Sequence, residues 1–228
     1  MILLSAPISP NKTSTSKKYP GTFITLEGPD GAGKTTQLRI VSQELKAIGC
    51  DHIITRDPGG TAAGKQIRRI LLNTNNPLST IAELLLYQAD RAQNVAEVIV
   101  PALEKGLIVF CDRYIDSTIA YQGYGRGLCL QTIGTLNEIS TGGLKPDLTL
   151  LFDLDSEAGL SRLHPGSYDR LEREALDFHK KVREGYLALA KEESNRFHII
   201  DASAPLTTVQ ASLRKALNEK LALNLPEG

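Results

Sequence analysis

The chain has no tryptophan, one methionine, five phenylalanines and only three cysteines in 228 residues. Cys50, Cys111 and Cys129 are odd in number and form no CxxC. That excludes a disulfide framework and a zinc ribbon, and it suits a reducing, cytoplasmic setting. Net charge is missing too: 26 Lys and Arg balance 26 Asp and Glu. Without a basic excess no nucleic-acid groove is expected, although a small phosphorylated ligand needs only a local cluster of cations. No apolar run approaches the roughly 20 residues of a membrane span, so no membrane partner is expected. The opening "MILL" is shorter than the roughly 7–15 apolar residues of a signal peptide. Residues 1–18, rich in Ser, Thr and Lys, read as a disordered tail.

What is present is an alternation of strands and helices. Apolar runs at 22–27, 52–56, 107–112, 148–154 and 197–201 predict strands covered on both faces. Helical patterns fall at 34–48, 60–73, 79–105, 115–140 (broken by Gly), 156–163, 169–193 and 205–223. This order predicts an α/β fold: a doubly wound, five-stranded parallel sheet flanked by helices, formed by residues 19–228. Its ligands belong beyond the carboxyl ends of the strands. Leu206, Val209, Leu213, Leu217 and Leu221 form a core-facing stripe on the last helix. The stretch "SRLHPGSYDR" (161–170) interrupts two helices as a short lid, and Asp169 with Glu172 resembles a capping box.

The most informative stretch is "EGPDGAGKTT" (27–36). Gly28-x-x-x-x-Gly33-Lys34-Thr35 fits the phosphate-loop pattern between a strand and a helix, where that pattern must sit. The whole turn of Gly28, Pro29, Asp30, Gly31, Ala32, Gly33, Lys34, Thr35 and Thr36 is therefore expected to bind ATP. Backbone N–H groups would cradle phosphate, Lys34 would reach the β- and γ-phosphates, and the Thr35 hydroxyl would ligate Mg²⁺. Asp112, ending the strand "LIVFCD", suits a carboxylate that holds the same Mg²⁺, usually through water.

Four clusters bear on a phosphate acceptor. "TRDPGGT" (55–61) carries Arg56 and leads to Arg68 and Arg69, of which one is a solvated helix residue. In "YQADR" (87–91) Tyr87 and Arg91 share a helix face and together can stack on a base and donate to a carbonyl oxygen; the plainer alternative is a core tyrosine and a helix ion pair. "DRYIDSTIAYQGYGRG" (112–127) places Arg113 for a phosphate, with Thr118, Tyr121 and Gln122 on the following turns. The lid holds Arg162, His164, Arg170 and Arg173. Because the variable loop positions contain no cation, a lid arginine would have to meet the charge of the transition state. A GTPase-type switch is the rival class: "DPGG" matches its DxxG pattern, but no NKxD follows the phosphate loop.

In this order and spacing, "EGPDGAGKTT", "TRDPGGT", "LLLYQADRAQ", "CDRYIDSTIAYQGYGRG" and "KPDLTLLFDL" resemble the bacterial thymidylate kinase family, from about Gly21 onward. The resemblance implies a nucleoside monophosphate kinase fold that usually pairs as a homodimer. It also implies phosphorylation of thymidine 5′-monophosphate (dTMP) by Mg-ATP. Tyr87 would then stack on thymine and Arg91 would bond its O4. Thr118 and Gln122 would border the base, and Tyr121 would lie beside the deoxyribose. Arg113 would clamp the acceptor phosphate with Arg56 or Arg68, and Asp30 would sit near the acceptor sugar or the metal. Of the family's two kinds, the sequence resembles the one with lid arginines, although its lid is short. Arg162 is the first choice for the transition-state cation and Arg170 the second.

Overall fold

The computed structural model describes residues 18–163 and 168–225. Apart from Lys18, the expected disordered tail lies outside these residues, as do His164, Pro165, Gly166 and Ser167 of the lid. The five expected strands form within a residue of their expected bounds: β1 Thr22–Glu27, β2 His52–Arg56, β3 Ile108–Asp112, β4 Leu148–Asp153 and β5 Phe197–Asp201. They make one parallel sheet in the order β2-β3-β1-β4-β5. Every strand ends on a charged residue, so the carboxyl edge is polar while the strand bodies are apolar. Asp112 pairs in register with both Leu26 and Arg56, which sets the end of β3 between the phosphate-loop strand and β2.

Alternate strand residues feed two faces. Ile24, Leu26, Ile108, Phe110, Leu150 and Phe152 pack under the helices α1 (Lys34–Ala47) and α9 (Leu206–Leu221). Phe23, Val109 and Cys111 pack on the opposite face, and Leu151 joins the cluster built by Tyr121, Phe178, Val182 and Tyr186. On that side lie α2 (Ala62–Leu72), α3 (Thr80–Asn94), α4 (Val100–Glu104), α5 (Ile115–Thr118), α6 (Leu130–Thr141) and α8 (Leu176–Glu192), while α7 (Ser156–Ser161) follows β4.

Several helical expectations need correction. The segment at 79–105 is α3 and α4 joined by a π-helical turn at Val95–Ile99, and the glycine-broken segment contains a second one at Ile119–Gly125. The helix expected from 169 begins only at Leu176. The capping box does form, since Asp169 N–H donates to Glu172 and Asp169 accepts from the Leu171 and Glu172 N–H groups, but it closes a turn rather than starting a helix. Leu206 is 54% exposed and lies outside the α9 stripe, which packs into the core from Val209 onward.

Gly28 follows β1 at φ +131°, a conformation confined in practice to glycine, and a Cβ there would sit 2.3 Å from the Phe152 carbonyl oxygen. Gly49 also has positive φ, but a Cβ there meets nothing within 4 Å. Gly28→Ala is therefore expected to lower the unfolding free energy by about 2–3 kcal/mol, and Gly49→Ala by only about 1 kcal/mol, in urea titrations. Equal losses would contradict the close approach at Gly28.

Candidate active site

Helix α1 starts from Gly33 at φ +84° with no side-chain cap, whereas Thr61 and Ser79 cap α2 and α3 through the Gly64 and Ala82 N–H groups. The first N–H groups of α1 are thus left for an anion, aided by the helix dipole. Lys34 folds over the loop, donating to the Gly28 and Pro29 carbonyl oxygens at 2.9 and 2.8 Å. Burial, with the nearby Arg113 charge second, pulls its ammonium down to about 8. The negative charge of a phosphate would oppose both effects. Thr35 Oγ1 donates to Asp112 Oδ2 at 3.2 Å, so two hard oxygen ligands meet at the mouth of a cavity of about 620 Å³ lined by Gly31, Gly33, Lys34, Thr35, Thr36 and Arg56. That donor set fits Mg²⁺.

A second cavity of about 510 Å³ lies beside it, lined by Tyr87, Arg91, Thr118, Tyr121, Gln122 and Leu171 among others. Asp30, Asp57, Arg68 and Arg113 line both cavities. Arg113 is the joint. Its φ is +70°, a strained value for a residue with a side chain. Its guanidinium donates to Asp30 at 2.6 Å, to the Gly28 carbonyl oxygen at 2.9 Å and to Tyr186 Oη at 3.0 Å, and it lies 5.1 Å from the centre of the Tyr121 ring. Tyr121 Oη donates to the other Asp30 oxygen at 2.9 Å. Burial works to raise the Asp30 carboxyl, but Arg113 and Lys34 outweigh it and hold the group at about 2.

Comparison with known proteins identifies the family. A family model described as thymidylate kinase matches residues 26–213. A thymidylate kinase of Carboxydothermus hydrogenoformans is 55% identical over 79% of this chain and 89% of its own length. One of Desulfovibrio desulfuricans is 50% identical over 87% of this chain and 96% of its own. The crystal structure of thymidylate kinase from Ehrlichia chaffeensis superposes with a TM-score of 0.70 at 34% identity, covering 86% of this chain and 98% of that one. The chain belongs to the thymidylate kinase family. It is an enzyme of the thymidylate kinase reaction, phosphorylation of dTMP to dTDP.

Most residues expected at the site line one of the two cavities, whereas Gly28, Pro29, Ala32 and Arg162 line neither. Arg91 is 1% exposed and pairs not with a helix carboxylate but with Asp57, at 2.7 Å, in the loop after β2. Its other donors reach Asn137 (2.9 Å), Gln88 (3.5 Å) and the Tyr114 carbonyl oxygen (3.1 Å). Gln122 Nε2 donates to the buried Glu83 at 2.8 Å. Arg170 is committed to the same Glu83 at 2.6 Å, inside an ion cluster with Arg126, which takes it away from the phosphate loop. Arg162 instead bonds the Ala202 carbonyl oxygen at 3.1 Å and approaches that of Gly31 at 3.5 Å, directly over the loop. Arg68 bonds the Pro58 carbonyl oxygen and lines both cavities, while Arg69 bonds Gln66 on its own helix and lines neither.

Sequence reasoning missed Glu27, the last residue of β1. It is fully buried and accepts from Tyr114 N–H at 2.7 Å, Ser117 Oγ at 2.5 Å and Tyr186 Oη at 3.0 Å. Its adjacency to the phosphate loop was the one available signal, because its partners lie about 90 and 159 residues away. Burial first, then the Asp116 charge, raises its carboxyl to about 7 against the hydrogen bonds that favour ionisation. Between its ordinary value and 7 the folded chain holds a proton that the unfolded chain has lost. This group therefore makes stability fall as pH rises across that window, by up to about 1.4 kcal/mol per pH unit. Glu27→Gln is expected to flatten that slope in urea titrations between about pH 5 and 7. An unchanged slope would assign the proton elsewhere.

Proposed function

We propose that transfer is in line between the two cavities, from the γ-phosphate of ATP on the glycine-rich loop to the phosphate of dTMP in the pocket of Tyr87 and Arg91. The observation that carries this reading is the shared wall: Asp30, Asp57, Arg68 and Arg113 belong to both cavities, so two phosphates bound there would be neighbours. Mg²⁺, held by Thr35 and Asp112 through water, would neutralise the β- and γ-oxygens when bound. Lys34 would exchange its two carbonyl partners for the same oxygens. Transfer then rests on position and positive charge rather than on covalent catalysis.

At the acceptor, Tyr87 supplies a stacking face and Arg91 a donor for thymine O4. Four of the five guanidinium N–H groups of Arg91 are spent on protein partners, which leaves one. With Gln122 Nε2 committed to Glu83, its carbonyl oxygen is the group offered to the ring N3–H. Thr118 Oγ1 is buried at this pocket without a partner among the described residues, as a hydroxyl awaiting a ligand would be. Tyr121, fixed by Asp30, would stand beside the deoxyribose, and Arg113 with Arg56 or Arg68 would clamp the acceptor phosphate. Arg162 is the lid-type cation for the transition state, because Arg170 is engaged elsewhere. The unpaired apolar residues Ile81 and Leu85 on α3, each about half exposed, support a homodimer. Residues 161–170 are read as the lid of a single domain spanning 19–228, and the free cysteines support a cytoplasmic enzyme.

A coupled assay with Mg-ATP and a panel of nucleoside monophosphates is expected to favour dTMP. Lys34→Ala should lower kcat by at least about 10²–10³-fold. Arg91→Ala should raise KM for dTMP by about 10-fold or more while barely moving KM for ATP. Equal effects on both substrates would remove Arg91 from the acceptor site.

A further inference from the structure

Asp90 precedes Arg91 on α3, and its carboxyl is wholly buried. Its Oδ1 accepts the Gly59 N–H at 2.9 Å, and its Oδ2 receives no donor from any described group. Asp57 is in the same condition: Oδ2 takes the Arg91 Nε–H at 2.7 Å and Oδ1 receives nothing. The two carboxyls are neighbours, since Asp90 accepts from Gly59, two residues after Asp57, and Asp57 accepts from Arg91, the residue after Asp90; two ionised carboxylates could not supply either orphan oxygen with a donor. A single proton between them gives both their missing partner. It also fixes the charge balance, because one guanidinium then meets one net carboxylate charge. With both ionised, a negative charge would be left buried without compensation.

Backbone closes tightly around this pair. A Cβ on Gly64 would lie 2.3 Å from Asp90 Oδ1, and one on Gly60 would lie 2.4 Å from Asn94 Oδ1. The glycines of "DPGGTAAG" thus let the turn and the start of α2 close on Asp90. Charged and titratable groups around the pair are Arg91 from α3, Arg68 from α2 (through the Pro58 carbonyl oxygen), Cys111 from β3, Tyr114 after β3, and Glu27 from β1 through its effect on Arg91. In keeping with the geometry, burial and then the Asp57 charge raise the Asp90 carboxyl to about 7.

We propose that Asp90 is a positioning residue for the acceptor pocket: in its neutral form it donates to Asp57, and Asp57 so fixed aims Arg91. The functional half of this proposal rests on Arg91 meeting the base. Asparagine reproduces the neutral donor and the acceptor for Gly59 N–H, whereas alanine supplies neither. Asp90→Asn is therefore expected to keep KM for dTMP within about 3-fold, and Asp90→Ala to raise it about 10-fold or more with little change in KM for ATP. An asparagine variant as impaired as the alanine one, or an alanine variant without effect, overturns the proposal.

Infrared difference spectra of the folded parent chain against Asp90→Asn, at about pH 6, decide the protonation itself even where Asp90→Ala fails to fold. The parent should show a protonated carboxylic acid band that the variant lacks, and its absence overturns the proposal whatever Arg91 does. If the band is present but neither Arg91→Ala nor Asp90→Ala affects dTMP, the reading of Arg91 has failed, and the positioning role fails with it.

Discussion

The ion pair between Asp30 and Arg113, 2.6 Å long and partly shielded from water, joins the phosphate loop to the end of β3. Neither residue is free to move alone. Asp30 is also held by Tyr121, and Arg113 by the Gly28 carbonyl oxygen and Tyr186, at a backbone angle that only such surroundings would maintain. The phosphate loop and the segment after β3 are thereby tied to each other. Against burial, the Arg113 charge holds Asp30 well below the ordinary carboxylate range, and after burial it is the next cause of the lowering of Lys34, which the Asp30 charge opposes. In the ligand-free chain, carboxylates and carbonyl oxygens occupy the cations that phosphate oxygens would claim in the proposed complex.

Behind that joint stands a second layer of buried acids, each assigned to a different support. Glu27 ties β1 to the backbone after Arg113 and to Tyr186 on α8. Glu83 gathers Gln122, Arg126 and Arg170, so the Gln122 amide at the second cavity and the end of the 161–170 stretch share one anchor. Asp116 holds Arg196 at 2.7 Å and Thr149 at 3.3 Å beneath the sheet. Buried carboxylates of this kind are costly unless fully paired, and here the pairing fixes geometry at the site more than it adds stability.

The features legible in the sequence were the local ones. The phosphate loop announces itself within ten residues, and the strands do so through apolar runs bounded by charge. Helical spacing put Tyr87 and Arg91 on one face, while a role for them at a base came only from the family resemblance. Glu27, Asp57, Glu83 and Tyr186 were not legible as site supports, because each acts through partners far along the chain that only the fold brings near. The lid arginines show the same limit. Arg162 was the first choice for the transition-state cation and Arg170 the second, and nothing local in the sequence shows that Arg170 pairs with the buried Glu83, nearly ninety residues earlier. The late start of α8 has a related cause: the capping box at Asp169 is genuine, but the turn it closes is spent on bonds to Leu71 and Leu72 rather than on a helix.

The most direct test of the joint between the two cavities is calorimetric binding of dTMP and of thymidine to the parent chain and to Arg113→Met. If Arg113 clamps the acceptor phosphate, the variant should lose about 100-fold in affinity for the nucleotide, keep its affinity for the nucleoside, and bind a non-hydrolysable Mg-ATP analogue within a few-fold of the parent. A variant that still prefers dTMP over thymidine as strongly as the parent would contradict the account.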